Sequence, residues 1–215
     1  MLKTWQPAIH AAHFLATMKA NPDLFAYVSF PTMETEADFM NSFYNNIKTS
    51  TEDCLFAIYD TQTAPETANT SANYAGIISL TAVNPVHAVA ELGVVIFPEY
   101  QRTHVATNAI GLMLFWTLDP PSRGGLGLRR VEWQTHAANM ASRNAALRMG
   151  FELEGIARWQ RVFVGGKIAL PVDELEKRNG TKGEVPGRHT AIFSIVWDEW
   201  EDKRPQIVAV MERKR

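Results

Sequence analysis

The sequence has a single cysteine, Cys54, which excludes an intrachain disulfide and points to a reducing compartment. Its histidines and cysteine show no CxxC or HExxH spacing, so no structural metal site is expected. It has little net charge: 21 basic against 23 acidic residues leave −2, which removes bulk attraction to nucleic acid. No apolar run approaches the ~20 residues that a membrane span needs. Met1 is followed by neither a basic stretch nor an apolar signal core. The expectation is a cytoplasmic protein with no metal, membrane or nucleic-acid partner. What is present is a core: 46% of the 215 residues are apolar. A chain of that length buries roughly 70% of its surface on folding without a staple. It suits one domain over 1–215.

The pattern along the chain alternates helical and extended signals. Ile9, Ala12, Phe14 and Leu15 form a partial helical stripe stopped at Asn21-Pro22, and Phe39, Phe43 and Ile47 mark a second helix beginning near Thr32–Thr35. Cys54–Tyr59 reads as a strand, Asp60–Asn73 as a long hairpin loop, and Tyr74–Val83 and Ala88–Phe97 as an antiparallel pair around Asn84-Pro85. A helix over His104–Leu118 should place Val105, Ala109, Leu112, Met113 and Trp116 on one face. Then come a strand over Leu128–Thr135, a short helix capped by Asn139 and stopped by Gly150, and strands over Phe151–Val164 and Ala191–Trp197. This order predicts an α+β fold, a mostly antiparallel mixed sheet with helices on both faces.

Two junctions carry the chemistry. In ELGVVIFPEYQRTHVAT, Glu91–Thr107, a strand runs through a tight turn straight into a helix. The free N–H groups of such a helix start, with the helix dipole, attract an anion. Arg102 adds a positive charge there, and Thr103 and Thr107 add hydroxyls. In VEWQTHAANMASRNAALRMGF, Val131–Phe151, a strand ends at His136 and a helix starts at Asn139 with Ser142 and Arg143 in its first turn. Read alone, Asn139 is a helix cap and Arg102 a solvated surface residue.

Together the two junctions resemble the GNAT acetyltransferase superfamily, and most closely its RimJ/RimL-like, ribosomal-protein-N-acetyltransferase-like branch. The matching stretches are ELGVVIFPEYQRTHVAT, RRVEWQTHAANMASRNAALRMGFELEGIAR and AIFSIVWDEW. The resemblance implies the acyl-CoA N-acyltransferase fold and transfer of an acetyl group from acetyl-CoA, the cosubstrate, to a primary amine, with no metal. It implies a pantetheine arm lying along Val94, Val95 and Ile96. It also implies a pyrophosphate wrapped by Gln101, Arg102, Thr103, His104, Val105, Ala106 and Thr107, with Asn139 and Arg143 on the cofactor side. The family's loop reads Q/R-x-x-G-x-G/A; here its first glycine is His104, whose Cβ must then point away from the phosphates. The same resemblance makes Ser142 the hydroxyl facing the CoA sulfur and the general acid.

Acetyl transfer needs a base for the amine and a proton for the thiolate, and no Ser-His-Asp arrangement is needed because the substrate is the nucleophile. Glu91, on the strand flanking the acetyl group, is the candidate base; its other reading is a carboxylate paired with a neighbouring arginine. His136 is a second candidate, with a structural role as its alternative. Cys54 reads as core. Gly165–His189 is long for a hairpin and reads as a flap beside the acceptor or an inert insert. A non-catalytic acyl-CoA-binding protein and a transferase of a different acyl group stand as the competing functions. Monomer and homodimer are both compatible with the sequence.

Overall fold

Runs of β-branched and aromatic residues separated by turn residues build the sheet, and period-3.6 stripes build the helices that cover it. The computed structural model describes residues 1–28, 33–62, 73–162 and 187–213. Its strands are β1 (Leu2–Thr4), β2 (Cys54–Tyr59), β3 (Tyr74–Asn84), β4 (Val89–Ile96), β5 (Arg130–His136), β6 (Glu152–Val162) and β7 (Gly187–Val196). They form one sheet in the order β1-β2-β3-β4-β5-β7-β6. Every neighbouring pair is antiparallel except β4 and β5, which run parallel.

The helices are α1 (Pro7–Ala20), α2 (Glu36–Phe39), α3 (Asn45–Thr49), α4 (His104–Leu118), α5 (Met140–Arg148) and α6 (Trp200–Glu212). A π-helical turn, Met40–Tyr44, joins α2 to α3, and a capping box at Thr35 and Asp38 starts the run. One core, with Trp5, Phe14, Phe39, Phe43, Leu55 and Ile77, packs α1–α3 on one face of β2–β4. The other, with Ile78, Leu92, Ile110, Leu114, Trp133 and Phe193, packs α4–α6 on the opposite face. The α+β sheet with helices on both faces is thus the one anticipated.

Several local expectations shift. Leu112 and Trp116 are 41% and 36% exposed, and α4 instead buries Val105, Ala109, Ile110, Met113 and Leu114. The terminal elements β1 and α6 escaped the sequence reading, the first because three residues carry no period, the second because its interior Pro205 breaks the helical signal. β7 begins at Gly187, so Gly187–His189 belong to a strand, not to the expected insert. The rest of Gly165–His189, and most of the Asp60–Asn73 loop, lie outside the described residues.

Two glycines are demanded by geometry. Gly150 ends α5 at φ +84°, the left-handed position a C-terminal stop requires. At Gly76 on β3, a Cβ would lie 2.1 Å from the Val95 carbonyl oxygen, so only glycine lets β3 approach β4 there.

α6 is tied to the end of α4 by one carboxylate. Asp119, 4% exposed, accepts from Trp200 Nε1 at 2.8 Å and from Arg204 Nε and Nη2 at 2.8 and 2.9 Å. Burial alone would raise this carboxyl, but the Arg204 and Trp200 hydrogen bonds and the Arg204 and Arg123 charges outweigh it and hold it below the ordinary range. A depressed carboxyl stabilises the fold above its unfolded-state value and loses that contribution as pH falls through its folded-state value. Asp119→Asn should therefore cost about 2–3 kcal/mol in urea unfolding at neutral pH. The gap to the unsubstituted protein should narrow on acidification below about pH 4; a gap constant with pH would show that the charge is not what anchors α6.

Candidate active site

The parallel pair is short. Val89, Ala90 and Glu91 of β4 register with Arg130, Val131 and Glu132 of β5, and the pairing stops there. Beyond that rung β4 stays registered with β3 as far as Gly76↔Ile96, while β5 stays registered with β7 as far as His136↔Thr190. The two strands part into a wedge between the ends from which α4 and α5 start. Val94, Val95 and Ile96 line one side of it, half-buried, with no strand opposite them across the wedge among the described residues.

At the wide end on the β4 side, a 3₁₀ turn, Pro98–Tyr100, leads into α4. Gln101 Nε2 donates to the Ile96 carbonyl at 3.1 Å and closes the strand end. Arg102 sits at φ +61°, the left-handed region. The residue that needs unusual backbone freedom is therefore Arg102, not His104, which is already helical. Thr103 is the N-cap: its hydroxyl accepts from the Val105 N–H at 3.2 Å and donates to the Tyr100 carbonyl at 2.7 Å. Thr107 is buried at 4% exposure. The Thr103 hydroxyl is thus engaged within the turn and Thr107 is buried, so the turn offers chiefly backbone amides. His104, where the family loop has glycine, places Nε2 3.2 Å from Oδ1 of Asp60, whose side chain is 3% exposed. That pairing directs the imidazole toward the end of β2, while His104, Val105 and Ala106 form the first turn of α4.

On the β5 side, Asn139 caps α5 by accepting from the Ser142 N–H at 3.1 Å. The Ser142 hydroxyl accepts from Trp133 Nε1 at 3.0 Å, so its own proton is directed elsewhere. Arg143 donates to the Ala137 carbonyl at 2.9 Å and braces the turn. His136, 5% exposed, accepts at Nδ1 from the Ala138 N–H at 3.0 Å and meets the Tyr27 ring edge-on at 5.3 Å. With Nδ1 engaged as acceptor, the neutral ring carries its proton on Nε2, which suits a structural role better than a base.

Glu91 stands on the last paired rung, at the closed end of the wedge, with its side chain 18% exposed. Burial pushes its carboxyl above the ordinary glutamate range; the Arg161 charge opposes this, the Glu132 charge adds to it, and the Arg188 charge opposes it. Arg161 Nη2 is 3.8 Å from Glu91 Oε2, too long for a hydrogen bond. Arg188, 5% exposed, donates to Thr190 Oγ1 at 3.1 Å and to the Tyr27 carbonyl at 3.2 Å. Burial and the Arg161 charge lower its pKa to about 10, against the pull of Glu91. Around the wedge, the candidate residues acquire neighbours that no local motif marked: Asp60 beside His104, Trp133 on Ser142, and Arg161 and Arg188 near Glu91. Among the described residues no group of three His, Cys, Asp or Glu could hold a metal ion, and no helix is long and apolar enough to cross a membrane.

The sequence profile of the acetyltransferase (GNAT) domain matches residues 1–152. The chain belongs to the GNAT acetyltransferase family, and it is an N-acetyltransferase enzyme by that membership. A GCN5-related N-acetyltransferase from Brucella melitensis is 26% identical over 98% of this chain and 81% of its own, with a TM-score of 0.73. The spermidine N-acetyltransferase from Vibrio cholerae, solved with CoA and spermine, is 17% identical over 94% of this chain and 97% of its own, with a TM-score of 0.65; it shows the shared fold alone. No curated protein matches significantly.

The buried Glu91 in this GNAT wedge sets a titration with worked-out signs. Its side-chain carboxyl, followed by ¹³C NMR, should titrate above the ordinary glutamate range. Arg161→Gln should move the midpoint further up by removing an opposing positive charge, and Glu132→Gln should move it down by removing a negative one. A midpoint insensitive to both substitutions would show that neither neighbour's charge reaches the carboxyl.

Proposed function

We propose that this enzyme transfers an acetyl group from acetyl-CoA to a primary amine, with both substrates meeting in the wedge between β4 and β5. The observation that carries the reading is the parting of the one parallel strand pair directly above Glu91, a partly buried carboxyl whose pKa is raised by burial. The pantetheine arm lies along Val94, Val95 and Ile96, whose backbone has no strand across the wedge to bond among the described residues. The pyrophosphate takes the amides of the Gln101–Thr107 turn with Arg102 beside it. Asn139 and Arg143 hold the opposite lip by bracing the start of α5, and acetyl-CoA acts as cosubstrate with no metal.

Glu91 takes the proton from the ammonium, directly or through water, and the amine lone pair forms the C–N bond at the thioester carbon. The tetrahedral intermediate then collapses. The C–S bond breaks with its electron pair going to sulfur, Ser142 supplies a proton to the thiolate, and the second proton lost by nitrogen returns through solvent to the Ser142 oxygen. The Trp133 indole N–H on the Ser142 oxygen favours that donation, because it polarises the hydroxyl toward releasing its own proton. Membership of the RimJ/RimL-like branch is part of the same reading and rests on the run from Asn139 to Phe151. A cytoplasmic location is carried by the lone cysteine.

Three variants test these roles by thiol release from acetyl-CoA. Glu91→Gln should lower kcat by roughly 10²-fold or more, the usual scale of general-base catalysis. It should also remove the acidic limb of the pH–rate profile. Ser142→Ala should lower kcat with little change in acetyl-CoA affinity, since its proton is given only as the bond breaks. Arg102→Ala should weaken acetyl-CoA binding by about 1–3 kcal/mol, read by calorimetry. Full turnover across pH in the first two would mean that transfer relies on positioning alone, and an unchanged dissociation constant would remove Arg102 from the site.

A further inference from the structure

The sheet face that α1–α3 cover over β2–β4 continues across β5–β7 as a polar surface. Strand alternation sends Val131 and Trp133 into the α4–α6 core, so Glu132 and Gln134 take the opposite side. Two charge groups occupy it. The first is closed on itself: Arg130 donates to Glu132 at 2.8 Å and to Glu154 at 2.6 Å, and the Ser194 hydroxyl donates to Glu154 at 2.7 Å. The second, Arg161 with Arg188 and Glu91, is not closed in the same way.

Arg161 has five N–H donors and makes a single hydrogen bond among the described residues, from Nη2 to Gln134 Oε1 at 3.2 Å. Its Nε is buried without a partner. Among the described residues the carboxylate that comes within 4 Å of it, Glu91, stays at 3.8 Å, and burial raises the pKa of that carboxyl. The backbone goes out of its way to put Arg161 there. Between Ala157 and Arg161 the edge strand β6 bulges against β7, and Trp159 in the bulge sits at φ +54°, its N–H held by His189 Nδ1 at 3.0 Å. A bulge re-aims a side chain at a local cost, and such costs concentrate at functional places.

We infer that the amine acceptor carries an acidic group, a carboxylate or a phosphate, which docks on Arg161 beside Glu91. This rests on the acetyltransferase reading above. The amine goes to the carboxylate and the acid to the guanidinium, and their 3.8 Å separation asks for the two groups to lie a few bonds apart in the acceptor. Docking an anion on Arg161 also offsets the charge that opposes proton uptake by Glu91, so the correct acceptor strengthens its own base. A polyamine would instead bring further ammonium groups against Arg161 and Arg188.

The test compares matched pairs, each an acidic amine and its counterpart lacking the acid: histidine with histamine, tyrosine with tyramine, and phosphoethanolamine with ethanolamine, with spermidine as the polycation. The first two pairs report on carboxylate and the third on phosphate. Within at least one pair, kcat/KM for thiol release should favour the acidic member by about 10–100-fold, the scale of a hydrogen bond to a charged group. Arg161→Gln should collapse that ratio severalfold, and Arg161→Lys should retain part of it. Saturation-transfer NMR on the CoA-loaded protein gives a second readout that needs no turnover: an acidic member bound by the unsubstituted protein and lost in Arg161→Gln supports the docking role. Transfer without preference for the acid, equal binding of both members, or preferred use of spermidine would overturn the inference and leave the acetyltransferase reading standing. Acid-selective binding with no thiol release from any amine would support the docking role and count against the transfer reading instead.

Discussion

One constraint organises the molecule: β4 and β5 are parallel neighbours for only one short stretch and then must part. Each is committed on its other side, β4 to β3 along nearly its whole length and β5 to β7 likewise. Keeping both commitments leaves the wedge, and among the described residues the wedge leaves backbone groups of β4 without a strand to bond. Such groups are costly when buried, and the proposed pantetheine arm would supply them with hydrogen bonds. Because the strands are parallel, the helices after them start at the same end. Two sets of first-turn amides therefore flank the wide end of the wedge.

The closed end has the opposite character. Glu91 and Arg188 are ionisable groups taken largely out of water, and burial leads the shift of each, raising the acid and lowering the base. A carboxyl that retains its proton more readily is a better match for removing one from an ammonium near neutral pH than an exposed glutamate is. The Arg161 and Arg188 charges oppose the rise at Glu91. On the proposed reading two tasks fall to two places, anion recognition to the backbone at the helix starts and proton handling to side chains at the strand rung.

The departure at His104 shows how a fold absorbs a residue that a motif excludes. A Cβ at that position is tolerated because the imidazole has somewhere else to go, the buried carboxylate of Asp60. The conformational demand that glycine often meets falls two residues earlier, on Arg102, held in the left-handed region inside a turn tied by Thr103 and Gln101. Such a position costs a non-glycine residue of the order of 1–3 kcal/mol, which neighbouring contacts must offset.

By itself the sequence determined what depends on neighbours along the chain. The strand-forming runs Cys54–Tyr59 and Ala88–Phe97, the Asn139 cap, the Gly150 stop and the start of α4 at His104 are local physics, and they were legible. Glu91 and Ser142 were marked as candidates by their places at the two strand–turn–helix junctions. Tertiary structure alone decided which distant groups meet there. Asp60 reaches His104, Trp133 reaches Ser142, and Arg161 reaches past β7 to Gln134 and toward Glu91. A bulge in β6 aims the last of these, and no period in the sequence encodes it, because the two strands lose register between Ala157 and Arg161. Contacts of that kind are set by how the sheet twists and where its strands part, and the linear order of residues carries no record of either.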